Sequence, residues 1–103
     1  INNLIGKNSY IGVAVKDGSY TKVSGINFIN VNFPFASYQK KSFYDYPYLE
    51  IFDGIQTNNF NKLIIKDKNS IVKYQNKFFK EYINKRKIIP LIYNRIEEYA
   101  ESS

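Results

Sequence analysis

Short runs of β-branched and aromatic residues, each closed by Gly, Asn, Asp or Ser, follow one another through most of this chain. Tyr10-Ile11-Gly12-Val13-Ala14-Val15 ends at Lys16-Asp17-Gly18-Ser19. Val23 to Phe35 alternates apolar residues with Asn27, Asn30 and Asn32. Tyr48-Leu49-Glu50-Ile51-Phe52 closes at Asp53-Gly54, and Leu63-Ile64-Ile65 and Ile71-Val72-Lys73-Tyr74 follow. Such runs favour strands, because branched and aromatic side chains fit a pleated surface. The Asp17-Gly18 step marks a turn, since glycine adopts positive φ at no steric cost.

The spacing narrows the choice. Val13-Ala14-Val15 and Phe35-Ala36-Ser37 lie 22 residues apart, and Val23-Ser24-Gly25 and Leu49-Glu50-Ile51 lie 26 apart. The excess fits an insertion at 39–47. A repeat of about 20–25 residues built from short strands predicts stacked coils, each burying its inner face against its neighbours. Asparagine suits the turns, because it tolerates the left-handed region and can pair with an asparagine one layer away. Asn27, Asn30 and Asn32 are the candidates. The same strand spacing also suits an antiparallel β-sandwich.

From Ile88 the pattern changes. Ile88, Ile89, Leu91, Ile92, Ile96 and Tyr99 follow the spacing of one helical face, and Pro90 suits a first turn. Residues 78–87 read as a short strand from Phe78 and then a link. The expected organisation is therefore strand coils over 1–79, a basic link over 80–87, and a capping helix and tail over 88–103.

The 103 residues carry a net charge of +6, with no Cys, His, Trp or Met. This excludes disulfides, a thiol nucleophile, a Cys/His zinc site and histidine-based catalysis. No catalytic, cofactor-binding or metal-ligating constellation is predicted: Asp17, Asp45, Glu50, Asp53 and Asp67 are scattered among turns. No apolar run is long enough to span a membrane. Ile1 stands where an initiator Met would, so a piece of a longer protein is expected.

Gly12-Val-Ala-Val-Lys-Asp-Gly-Ser19 and Phe35-Ala-Ser-Tyr-Gln-Lys-Lys41, with Asn27-Phe-Ile-Asn-Val-Asn32 between them, resemble the last coils of right-handed parallel β-helix proteins of the pectate-lyase-like kind. The resemblance covers about residues 4–74. It implies a mainly β chain, a right-handed parallel β-helix of about three to four coils, which the helix at 88–101 would cap. It also implies an open N-terminal coil that meets the remainder of the chain or another subunit. Where such relatives carry a Gly-rich segment, this chain has Ser42-Phe-Tyr-Asp-Tyr-Pro-Tyr48.

Two stretches could bind a ligand. Tyr38, Gln39, Lys40, Lys41, Phe43, Tyr44, Tyr46 and Tyr48 combine aromatic rings, which stack on the apolar faces of sugars, with hydrogen-bonding groups. Residues 61–87 hold nine basic residues against Asp67 and Glu81, interleaved with Tyr74, Phe78, Phe79 and Tyr82. They suit an anionic polymer or surface. Lysine in place of arginine disfavours nucleic acid. Aromatics folded under the loop and lysines guarding strand edges would explain the same residues structurally. The expected function is a non-catalytic C-terminal part of a parallel β-helix protein associated with extracellular or cell-surface carbohydrate. The alternatives are the end of a polysaccharide lyase or hydrolase, and a structural fibre or assembly module.

Overall fold

The computed structural model describes residues 1–41, 44–88 and 90–91. Among these residues nine strands form in chain order: β1 (Asn2–Lys7), β2 (Ile11–Lys16), β3 (Tyr20–Ile29), β4 (Phe33–Tyr38), β5 (Tyr48–Ile51), β6 (Ile55–Asn58), β7 (Ile64–Lys66), β8 (Ile71–Tyr74) and β9 (Lys77–Phe78). One sheet runs β1-β3-β5-β8-β9, with β6 also on β3, and a second runs β2-β4-β7.

The 22-residue offset is a strand register. Asn2 pairs with Ser24 and Val13 with Phe35, both in parallel strands. Across the longer 39–47 connection the offset grows, and Tyr20 pairs with Tyr48 and Val23 with Ile51. The first half of β3 therefore pairs with β5 and the second half with β6. The break falls at Gly25, whose φ is +60°, and Asn3 and Gly54 stand at the equivalent place with φ of 58° and 83°.

The right-handed parallel β-helix with a capping helix is not the fold that forms. The strands make mixed sheets, with β9 antiparallel to β8 among parallel pairs, and do not close into a solenoid. The local cause is Gln75-Asn76, both at positive φ, a two-residue turn that sends β9 back along β8. The strand expected at Phe78 is thus one arm of a hairpin. The helix also differs. Helical residues are 85–88 and 90–91, and the predicted remainder at 92–103 lies outside the described residues. Its start is set by Asn84, whose Oδ1 accepts from Arg86 N at 2.9 Å, an N-cap upstream of the apolar pattern.

Apolar side chains from alternate positions fill the space between the sheets. Val13, Val15, Val23, Ile26, Phe28, Phe35, Leu49, Ile51 and Val72 are among the buried members. Phe28 has room because position 12 is glycine: a Cβ there would collide with its ring. A second cluster joins Ala36, Tyr38 and Ile65, which alternate with the first cluster's residues along β4 and β7, to Ile88 and to Phe33 at the start of β4. Strand β4 is consequently buried at all six positions. That accounts for its continuous apolar run in place of alternation.

Two glycine substitutions separate backbone strain from crowding. Gly18→Ala meets nothing nearer than Asp45 Cβ at 3.9 Å, so only its left-handed φ opposes the new side chain. It should cost about 1–2 kcal/mol. Gly25→Ala also drives a Cβ to 2.6 Å from Asn3 Oδ1. Urea unfolding should rank Gly25→Ala as the more destabilising of the two; equal costs would refute the crowded corner.

Candidate functional site

The two candidate stretches meet in space. Tyr46 from the 39–47 connection, Lys68 and Asn69 from the β7–β8 turn, and Tyr82, Asn84 and Lys85 from the segment after β9 line one cleft of about 280 Å³. Buried Asp67 and half-buried Ile83 complete it.

The framework beneath is a hydrogen-bonded relay. Asp67, 2% exposed, accepts from Gln39 N on Oδ2 at 2.8 Å and from Ser70 N on Oδ1 at 2.9 Å. One carboxylate therefore closes its own turn and clamps the neighbouring layer. Charge-assisted bonds of this kind are about twice as strong as neutral ones. The Gln39 side chain, also buried, donates from Nε2 to Tyr44 O and accepts on Oε1 from Lys85 Nζ, both at 2.5 Å. Gln39 thus ties the connection carrying Tyr46 to the segment carrying Tyr82 and Lys85. Ile83 N donates to Lys66 O at 3.0 Å and fixes that segment along β7.

Lys66 is buried beneath this segment. Its Nζ donates to Asp67 O at 2.8 Å and Lys68 O at 3.3 Å, and lies 5.8 Å from the centre of the Tyr82 ring. Burial pushes its ammonium below the usual lysine range, and the Asp67 charge opposes that in part. The cation also contacts the Tyr82 ring, and Tyr82 remains 54% exposed.

Of the eight residues singled out in the 38–48 stretch, the seven that the structure describes separate into four groups. Tyr38 is 1% exposed, within the second core cluster, and Gln39 is internal framework, so neither forms part of an open ligand surface. Lys40 and Lys41 are exposed, and their backbone N–H groups donate to Asp17 Oδ1 at 2.7 and 3.1 Å. Tyr44 and Tyr46 are exposed, and Tyr46 lines the cleft. Tyr48 belongs elsewhere: it stacks on Tyr20, ring centres 4.7 Å apart, in the parallel β3–β5 pair. A hydrogen bond from Tyr20 to Glu50, 2.8 Å, raises the tyrosine's pKa above its usual range. Phe43 lies outside the described residues.

Tyr82, Lys68 and Lys85 were visible in the sequence only as parts of a basic stretch. Nothing in their spacing joined them to Tyr46, because the join depends on the hairpin at 75–76 and on Gln39. Asn69 and Asn84 carried no separate signal. Among the described residues no group of three or more His, Cys, Asp and Glu could hold a metal ion. None of their helices is long and apolar enough to cross a membrane.

Comparison of the chain with protein-family models, curated proteins and solved structures finds no match.

If Asp67 carries the framework, Asp67→Asn should cost about 1–3 kcal/mol, since an amide NH₂ would then face a backbone N–H. Urea unfolding measures the loss, and amide exchange at Gln39 and Ser70 should quicken. Unchanged stability would show that the clamp is dispensable.

Proposed function

We propose that the chain binds carbohydrate through the Tyr46–Tyr82 cleft, with preference for acidic polysaccharide. The observation that carries this reading is the convergence of two exposed tyrosines with Lys68, Lys85, Asn69 and Asn84 on one small cleft. Tyrosine rings offer flat apolar faces that suit the C–H face of a pyranose, while amides and ammonium groups suit its hydroxyls and carboxylates. The cleft volume lies near the lower end of the usual ~300–1,000 Å³ for ligand sites, which suits a sugar ring held within an extended chain.

The charge balance supports an anionic ligand. Lys68 has no side-chain hydrogen-bond partner among the described residues, and the bond from Lys85 goes to a neutral amide oxygen, so the cleft lining carries two ammonium groups against the one carboxylate of Asp67. The carboxylate beside the cleft, Asp67, has both oxygens engaged by backbone N–H groups. This favours holding the ligand over acting on it. A location at or outside the cell surface, where such polymers are met, belongs to the same proposal.

A glycan array of neutral and uronic-acid polysaccharides, probed with the intact chain, tests the reading. Acidic polymers should bind, and Tyr46→Ala and Tyr82→Ala should each weaken binding roughly tenfold, or about 1.4 kcal/mol. Added salt should weaken it further. Absence of any hit, or binding indifferent to both substitutions, would refute it.

A further inference from the structure

A second cavity, of about 420 Å³, adjoins the Tyr46–Tyr82 cleft: Lys68, Asn69 and Tyr82 line both. The β8–β9 hairpin supplies its apolar side, with Ile71 and Phe78 exposed and Phe79 half-buried. Its charged lining is entirely cationic. Lys66, Lys68 and Lys80 line it, and no Asp or Glu does. The first cleft differs, because Asp67 is part of its lining.

Two buried residues here keep hydrogen-bonding capacity in reserve. The Ser70 N–H donates to Asp67 Oδ1, but its hydroxyl has no partner among the described residues. Buried hydroxyls are ordinarily bonded, so this one marks a place for an acceptor. Lys66 Nζ donates to Asp67 O and Lys68 O, which engages two of an ammonium's three donors. The spare O–H and N–H suit the two oxygens of a carboxylate, and a charged acceptor makes the stronger bonds.

Resting on the reading of the first cleft, we propose that the second cavity is a subsite for a further sugar of the same chain, with Lys66, Lys80 and Ser70 reading its carboxylate. Phe78 offers that sugar an apolar ring face, as Tyr46 and Tyr82 do in the cleft. Tyr82 stands at the junction and serves both. The cleft then holds the chain, and the cavity sets the demand for acidic units and the preference for longer chains. Filling both makes the second contact intramolecular, so affinity rises with length and then levels.

A size series of uronic-acid oligomers, and the matching neutral series, titrated calorimetrically into the intact chain, is the test. Acidic affinity should step up about tenfold at the length that spans both cavities, and the neutral series should show no such step. Phe78→Ala and Lys80→Ala, both at exposed side chains, should each remove about fivefold of the step and leave the shortest bound oligomer within about twofold. Tyr46→Ala should weaken every length. Amide NMR on the unaltered chain is independent of any variant's folding. Short oligomers should shift 44–46, 68–69 and 82–85, and long ones should add 70–72 and 78–80. Binding with no length step, an equal step in the neutral series, or a step that both substitutions leave intact would overturn the subsite and leave the cleft reading standing. No binding at any length would overturn both.

Discussion

Residues held in the left-handed region at matching heights fix how the layers stack. Asn3, Gly25 and Gly54 turn the chain at one corner, and Asn8, Asn30 and Asn59 turn it at another. Parallel pairing puts like positions beside like, so each corner must bend the same way in every layer. A slip of one residue would put Val13 and Val15 in solvent and Ala14 in the core. Hydrogen bonds between the asparagine amides reinforce the register that burial selects.

The candidate site is built where that regularity ends. The long 39–47 connection, the β7–β8 turn and the segment after β9 meet there outside the regular strand pairing. Asp67 and Gln39 join them. Asp67 is buried as an ion because backbone N–H groups meet both of its oxygens, which offsets its lost hydration. The exposed rings of Tyr46 and Tyr82 then stand on fixed supports. A ligand meeting such a surface loses less free energy to ordering than one that must gather mobile side chains.

Local features were legible in the sequence wherever one residue type decides the backbone. Val13-Ala14-Val15 against Phe35-Ala36-Ser37 stood out because like residues pair at a constant offset. The ladder at Asn30 was legible for the same reason. Asn27 and Asn32, the other two candidates, make no ladder bond among the described residues. Asn27 sits within β3, and Asn32 joins its neighbours through the backbone alone.

The fold beyond this was misread because extending the offset to every strand ignored Gln75-Asn76. Neither is glycine, so the pair gave only a weak signal of the reversal that makes the sheets mixed. Gln39 and Tyr38 looked like surface groups because polar and aromatic residues in a loop-like run usually are. Burial of both faces of β4 depends on the later segment around Ile88, a contact distant in sequence.

The central claim is that Tyr46 and Tyr82 form one recognition surface. A titration of the isotopically labelled chain with an acidic oligosaccharide, followed by backbone amide NMR, tests where that ligand sits. Shifts should cluster at 44–46, 68–69 and 82–85, with the Tyr20–Tyr48 face silent. Shifts spread evenly over the exposed lysines, or centred on Tyr20 and Tyr48, would contradict it.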